Sequence, residues 1–129
     1  METLLRANRF VNAFAAIIFI VAAAVHVSAQ SGPPSVTKVE PPYWWANHSV
    51  NPVRLLLRGA NLTKARVRAS TASITISDVL VNRDGTYLFV NVRVGSMVRP
   101  GAYPLVVETP QGKTTVDFTI EPELNAETN

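Results

Sequence analysis

Between residues 36 and 120, the chain consists of short segments in which apolar and polar residues alternate. From Val53 onward, Val53, Leu55 and Leu57 fall on one side of the chain, and the segment from Tyr87 to Val94 alternates in the same way. A period of two is typical of a β-strand with one buried face. This criterion predicts about seven strands, at residues 36–39, 53–58, 65–69, 74–81, 87–94, 105–109 and 114–120.

Turn residues separate these segments, and no segment after residue 35 has the 3.6-residue period of a helix. Asp84-Gly85 lies between two predicted strands, and Thr109-Pro110-Gln111-Gly112 suits a type I turn that closes a hairpin. Many short strands joined by tight turns are typical of two packed sheets. We therefore predict an all-β fold, an immunoglobulin-like β-sandwich without the Cys–Trp–Cys pattern of antibody domains.

Residues 1–29 have the composition of an export signal. Arg6 and Arg9 form a positive start, residues 10–25 are nearly all apolar, and Val27-Ser28-Ala29 offers small residues at a cleavage site. We predict a signal-peptide helix and an exported protein, either periplasmic or secreted. An uncleaved membrane anchor is the alternative, although the apolar run is shorter than the roughly 20 residues that a spanning helix needs.

These features divide the chain into four parts. We predict a signal peptide at residues 1–29, a flexible lead-in at 30–35, the immunoglobulin-like domain at 36–122, and a polar tail or linker stub at 123–129. Cleavage after Ala29 would leave 100 of the 129 residues. That length is close to the size of one immunoglobulin-like domain.

Charge and cysteine content exclude several classes of function. The net charge of the whole chain is +3, and removing Glu2, Arg6 and Arg9 with the signal segment leaves +2. So weak a charge does not favour binding to nucleic acid or to an acidic membrane surface. The chain has no cysteine, which excludes disulfides, thiolate metal sites and a lipoprotein anchor. We expect contact with a membrane only through an uncleaved signal segment.

The sequence contains no recognisable catalytic motif. His26 falls in the signal segment, so His48 stands alone, and no HExxH or GxSxG motif occurs. A glycosidase needs two carboxyl groups facing each other across a sugar, and the spacing of the acidic residues does not suggest such a pair. We predict that the chain is not an enzyme, uses no cofactor and binds no metal, and that His48 is a solvated loop residue.

Three adjacent aromatic residues, Tyr43, Trp44 and Trp45, follow two prolines. Neighbouring residues of an extended chain point to opposite sides, so we expect one tryptophan to pack inward and the other to face outward. The outward ring could contact a sugar, be covered by a neighbouring domain, or pack locally. Tyr43, Trp44 and Trp45 are therefore candidates for contact with a carbohydrate or a partner.

A second candidate surface combines two predicted strands. Leu56 lies between Arg54 and Arg58 on the outward side of one strand. Tyr87, Phe89 and Arg93 lie on the outward side of another. If the two strands are neighbours, these residues form an apolar patch with an arginine rim, as at a protein interface. If they are not, the residues are isolated on the surface.

The stretch VEPPYWW, from Val39 to Trp45, is followed by Asn51-Pro52 and by a predicted strand that ends in Gly59-Ala60-Asn61-Leu62. In this order the motifs resemble the N-terminal domain of the cyclomaltodextrinase and neopullulanase-like enzymes of the α-amylase family. The resemblance covers roughly residues 35–122. Its later part, YLFVNVRV and RPGAYPLVVETPQGK, is also similar to generic immunoglobulin-like modules of the IPT/TIG type.

The resemblance implies an immunoglobulin-like sandwich that precedes a TIM-barrel domain hydrolysing α-glucans. It assigns no catalytic residue here, because the barrel and its carboxylates are not part of this sequence. We expect a non-catalytic accessory domain in packing or dimerisation. Its expected partners are an α-amylase-type catalytic domain, another protein or a second copy, with weak contact to an α-glucan or maltooligosaccharide.

Two alternatives remain open at this point. The chain could be a generic IPT/TIG-like module for cell-surface recognition or adhesion, or it could be a truncated remnant. The signal segment and the resemblance together favour a Gram-negative bacterium.

Overall fold

Eight β-strands form the regular structure of residues 32–125, the part of the chain that this computed structural model describes. The strands are β1 (Ser35–Glu40), β2 (Tyr43–Trp45), β3 (Val53–Ala60), β4 (Arg66–Ala69), β5 (Ile74–Val81), β6 (Tyr87–Val94), β7 (Gly101–Thr109) and β8 (Gly112–Glu121). They form two four-stranded sheets. The first sheet has the order β1-β3-β6-β5, and the second has the order β2-β8-β7-β4.

The prediction of an all-β fold is confirmed. Each of the seven predicted strands is present, and β5 and β6 agree with the prediction at both ends. The eighth strand, β2, was not predicted, because three residues after two prolines are too few to show a period. It pairs in parallel with β8, with Trp44 opposite Ile120.

The core lies between the two sheets. In the first sheet, the alternation of β3 and β6 turns Leu55, Leu57 and Leu88 inward, where they are fully buried. The second sheet contributes Leu105 and Phe118, which are also fully buried. Burial of these side chains is the main stabilising term for a domain that has no disulfide.

Two details of the first sheet explain sequence motifs. The side chain of Asn51 donates to the carbonyl of Val94 at 2.7 Å and accepts from the Val94 N–H at 3.0 Å. These two bonds extend the β3–β6 pairing to a residue that precedes the start of β3. Gly59 lies so close to β1 that a Cβ atom there would be 1.8 Å from the carbonyl oxygen of Ser35. Only glycine allows β1 and β3 to approach in this way.

Of residues 30–35, which we predicted to be a flexible lead-in, the structure describes residues 32–35. Pro34 is buried, and Ser35 begins β1. The side chain of Asn61 donates to the carbonyl of Pro33 at 3.2 Å, which ties this segment to the end of β3. The predicted signal peptide, residues 1–29, and the last four residues lie outside the described residues. Within residues 32–125, no helix has the length and apolar character to cross a membrane.

We expect Leu55→Ala to lower the free energy of unfolding by about 2–5 kcal/mol, because it leaves a cavity in the core. Leu80 is 58% exposed, and it is the matched control. Leu80→Ala should change the free energy by no more than about 0.5 kcal/mol. Urea unfolding followed by circular dichroism measures both values. Equal effects of the two substitutions would contradict the assignment of inner and outer faces.

Candidate functional site

The first candidate surface is the aromatic cluster, which consists of Tyr43, Trp44, Trp45 and His48. Strand β2 holds three of these residues at the edge of the second sheet. Trp44 packs against the core, and its Nε1 donates to the carbonyl of Val50 at 3.0 Å. Tyr43 and Trp45 lie on the opposite side of β2 and contact edge to face, with ring centroids 5.6 Å apart. Of the two tryptophans, which the sequence did not distinguish, Trp44 is the one that packs against the core.

His48 belongs to this cluster, which corrects the expectation of a solvated loop residue. Its ring is half-buried and stacks on Trp45, with centroids 5.5 Å apart and an angle of 25° between the planes. The centroid of Trp44 is 4.7 Å away. The N–H of Val50 donates to Nδ1 of His48 at 3.0 Å. The sequence does not show this arrangement, because the turn after Trp45 brings His48 back over the rings.

The cluster lies where β8 ends. The N–H of Ala46 donates to the carbonyl of Glu121 at 2.9 Å. The side chain of Asn47 donates to a carboxylate oxygen of Glu123 at 3.0 Å. Tyr43 is the most accessible ring, with 44% of its surface exposed, whereas both tryptophans are half-buried. Contact with a ligand at this cluster would therefore involve Tyr43 first.

The second candidate surface is the arginine face, which is the outer side of the first sheet. Strands β3 and β6 are neighbours, which is the condition under which we predicted an apolar patch with an arginine rim. The register places Leu56 opposite Phe89, Arg58 opposite Tyr87, and Arg54 opposite Asn91. We define the arginine face by its six predicted members and by one that the structure adds: Arg54, Leu56, Arg58, Tyr87, Phe89, Arg93 and Leu80.

Two arginines lie over aromatic rings on this face. The Cζ atom of Arg54 is 5.3 Å from the ring centroid of Phe89, and that of Arg58 is 5.5 Å from the centroid of Tyr87. Such cation–π contacts favour a position over the ring for each planar guanidinium group. Nη2 of Arg58 also donates to the hydroxyl of Tyr87 at 3.3 Å, and Tyr87 raises the pKa of Arg58 above its ordinary value. Arg58 therefore stays charged at any physiological pH.

Arg93 is directed away from this pair, since its Nη1 donates to the carbonyl of Asn51 at 3.4 Å. Leu80 lies opposite Phe89 and adds apolar surface that the sequence analysis did not assign. An irregularity in β5 between Ser77 and Leu80 reverses the alternation, and Asp78 there has a φ angle of 50°. Without that bulge, Leu80 would point into the core together with Ile76.

The rim of the arginine face on β1 carries an ion pair between Lys38 and Glu40. The hydrogen bond from Lys38 holds the pKa of Glu40 below its ordinary value, and the charges of Lys38 and Arg58 act in the same direction. A shallow depression of about 390 Å³ lies beside this pair and is bordered by Lys38, Arg58 and Tyr87. Among the described residues, no group of three His, Cys, Asp or Glu side chains could hold a metal ion.

Comparison with known proteins identifies a family. A family model described as "Cyclomaltodextrinase, N-terminal" matches residues 38–122. The matched range contains all of strands β2–β8, the aromatic cluster and the arginine face. No curated protein matches the chain.

We expect Lys38→Gln to raise the pKa of Glu40 toward the ordinary carboxyl value, because the charged donor is lost. A lowered pKa in the folded state stabilises the fold above the pKa of the unfolded chain, and this contribution disappears as the pH falls through the folded-state pKa. The substitution should therefore weaken the fold at neutral pH and not in strong acid. A carbon-13 NMR titration of the Glu40 carboxyl measures the pKa.

The control for this titration is Arg68→Gln, which removes an ion pair with Glu108 on the second sheet. It should leave the pKa of Glu40 unchanged. If Lys38→Gln also left the pKa of Glu40 unchanged, the ion pair with Lys38 would not be the cause of the lowered pKa.

Proposed function

We propose that this chain, which belongs to the cyclomaltodextrinase N-terminal domain family, acts as a non-catalytic accessory domain. In the α-amylase family this domain precedes the catalytic barrel, and the match is to the domain and not to the barrel. We propose that its work is to pack against an α-amylase-type catalytic domain or a related protein.

The arginine face is the observation that supports this proposal. Tyr87, Phe89 and Leu80 are large apolar side chains that are 37%, 38% and 58% exposed, and they lie on adjoining strands. Contiguous apolar groups with a polar rim are typical of protein interfaces, in which aromatic residues and arginine are enriched. The free domain exposes this apolar surface to water, and a partner domain would bury it in an interface.

A second candidate function is contact with an α-glucan through the aromatic cluster. The exposure of Tyr43 beside Trp45 supports it, since an aromatic ring can stack on a sugar. The rings in this cluster also cover one another, and Trp44 packs against the core. We therefore place packing at the arginine face first and sugar contact second.

We also propose that the protein is exported, on the basis of residues 1–29 alone. A chain extracted from the periplasm or medium should then begin at Gln30, as mass spectrometry of the intact protein would show. Such a location suits a domain that works beside an enzyme acting on extracellular or periplasmic glucans. The family match favours this accessory role over a generic adhesion module.

The accessory role is tested with a cyclomaltodextrinase from which its own N-terminal domain has been deleted. We expect the chain, added at about 100 times its Kd, to stabilise that enzyme by about 2.7 kcal/mol. Phe89→Ser should abolish the effect, because it removes apolar surface from the interface. Met97→Ser is the control, since Met97 is 86% exposed and lies outside the arginine face. The measurement is the thermal unfolding of the enzyme that lacks its N-terminal domain.

Two results would contradict the proposal. Release of reducing sugar from β-cyclodextrin by the chain alone would show that it is catalytic. Loss of stabilisation in Tyr43→Ser but not in Phe89→Ser would place the contact at the aromatic cluster.

Sugar contact is tested by titrating the chain with maltoheptaose while tryptophan fluorescence is recorded. If the aromatic cluster binds the sugar, we expect a saturable change that is lost in Tyr43→Ala, because Tyr43 is its most exposed ring. Phe89→Ala should keep the change, because Phe89 lies on the other sheet. A flat titration up to millimolar sugar, in a folded protein, would leave packing as the function of the cluster.

A further inference from the structure

We infer that the arginine face binds a protein surface in which an apolar side chain is flanked on both sides by carboxylates. This inference rests on the proposed accessory function and adds the chemistry of the partner. Three features of the face support it. The positive charges are spaced along β3, two guanidinium groups lie over aromatic rings, and neither of these groups forms an ion pair within residues 32–125.

The spacing comes from strand geometry. Arg54, Leu56 and Arg58 occupy alternate positions of β3 and share its outward side. Residues four apart on a strand have Cα atoms about 13 Å apart. Leu56 and Phe89, which lie opposite each other, provide the apolar centre between the two positive charges. A complementary surface therefore has an apolar centre and a negative charge at either end.

The two guanidinium groups are preorganised. Each lies over a ring of the neighbouring strand β6, Arg54 over Phe89 and Arg58 over Tyr87. Each makes one additional hydrogen bond, Arg54 to Asn91 at 3.2 Å and Arg58 to Tyr87 at 3.3 Å. A guanidinium has five N–H donors in a planar fork that matches a carboxylate. Most of these donors remain available to a carboxylate. Because the two side chains are already positioned over the rings, they lose less conformational entropy on binding than freely moving arginines would.

Neither arginine has a carboxylate partner. The ion pairs found within residues 32–125 are Lys38–Glu40 and Arg68–Glu108, and neither includes Arg54 or Arg58. The other nearby acid, Asp78, accepts a hydrogen bond from Asn91 at 2.7 Å. Glu40 and Arg58 do influence each other's pKa, but they are not within ion-pair distance, so the positive charges of this face are only partly compensated. A partner with matched negative charges would gain both affinity and association rate.

Other occupants fit less well. A second copy placed by a two-fold axis would set this positively charged surface against itself, so the like charges would oppose association. A neutral glucan has no charge to match, and a guanidinium group already lies over one face of each ring on which it would stack. The chemistry of the face thus favours an acidic protein surface.

The probe is a peptide, acetyl-Glu-Ser-Phe-Ser-Glu-amide, whose two carboxylates flank an aromatic side chain at strand spacing. A nitrogen-15 NMR titration of the protein should show shifts in the amides of β3 and β6. We expect the matched peptide with Gln in place of both Glu to bind at least about tenfold more weakly, and the Lys version not to bind. Added salt should weaken binding of the Glu peptide and not of the Gln peptide.

Protein variants test the same point from the other side. The double variant Arg54→Gln/Arg58→Gln should lose the preference for the Glu peptide over the Gln peptide, while its amide spectrum shows that it is folded. Arg68→Gln removes an arginine from the second sheet and should keep the preference. Equal affinity for the Glu and Gln peptides in the native protein would overturn the inference. Self-association that is abolished by Phe89→Ser would also overturn it, with a second copy as the occupant.

The two proposals fail in different ways. The double arginine variant could stabilise the cyclomaltodextrinase that lacks its N-terminal domain as well as the native chain does. In that case the proposed packing function stands and the inference about carboxylates fails. If the Glu peptide binds selectively but the enzyme is not stabilised, the chemistry of the face holds and the accessory function fails.

Discussion

The antiparallel pairing of β3 with β6 supports both the core and the arginine face. On its inner side this pairing places Leu55 and Leu57 against the second sheet, where they are fully buried. On its outer side the same register sets Leu56 opposite Phe89 and Arg58 opposite Tyr87. Because side chains alternate along a strand, one ladder of hydrogen bonds decides both arrangements. A shift of one residue would exchange core and surface together.

The second sheet uses its edge differently. Its edge strand β2 is only three residues long, and it lies beside the last strand of the domain. The aromatic residues there stabilise the structure: Trp44 packs against the core, while Trp45 and His48 stack on each other. The hydrogen bonds from Ala46 and Asn47 to the segment that follows β8 connect this cluster to the end of the domain. The aromatic residues of β2 are therefore part of the structure of the domain, with Tyr43 as the most exposed ring.

The two outer surfaces differ in chemistry, and this difference separates their expected roles. The arginine face combines apolar side chains with Arg54 and Arg58, neither of which forms an ion pair with an acidic residue within residues 32–125, and this combination suits a protein interface. The aromatic cluster has rings that contact one another and a single accessible tyrosine. In the proposed function, the domain packs against a partner through the first sheet, and the edge of the second sheet is left for a weaker contact.

Local pattern alone determined the fold class, the position of seven strands and the outward direction of Arg54, Leu56, Arg58, Tyr87 and Phe89, because period-two alternation is a property of each strand by itself. Three features depended on tertiary structure. The short strand β2 forms only because β8 is there to pair with it, His48 joins the rings only because a turn returns it to them, and Leu80 faces outward only because a bulge reverses the alternation of β5. Each requires knowledge of which distant segment lies alongside, and that information is absent from the period of any single segment.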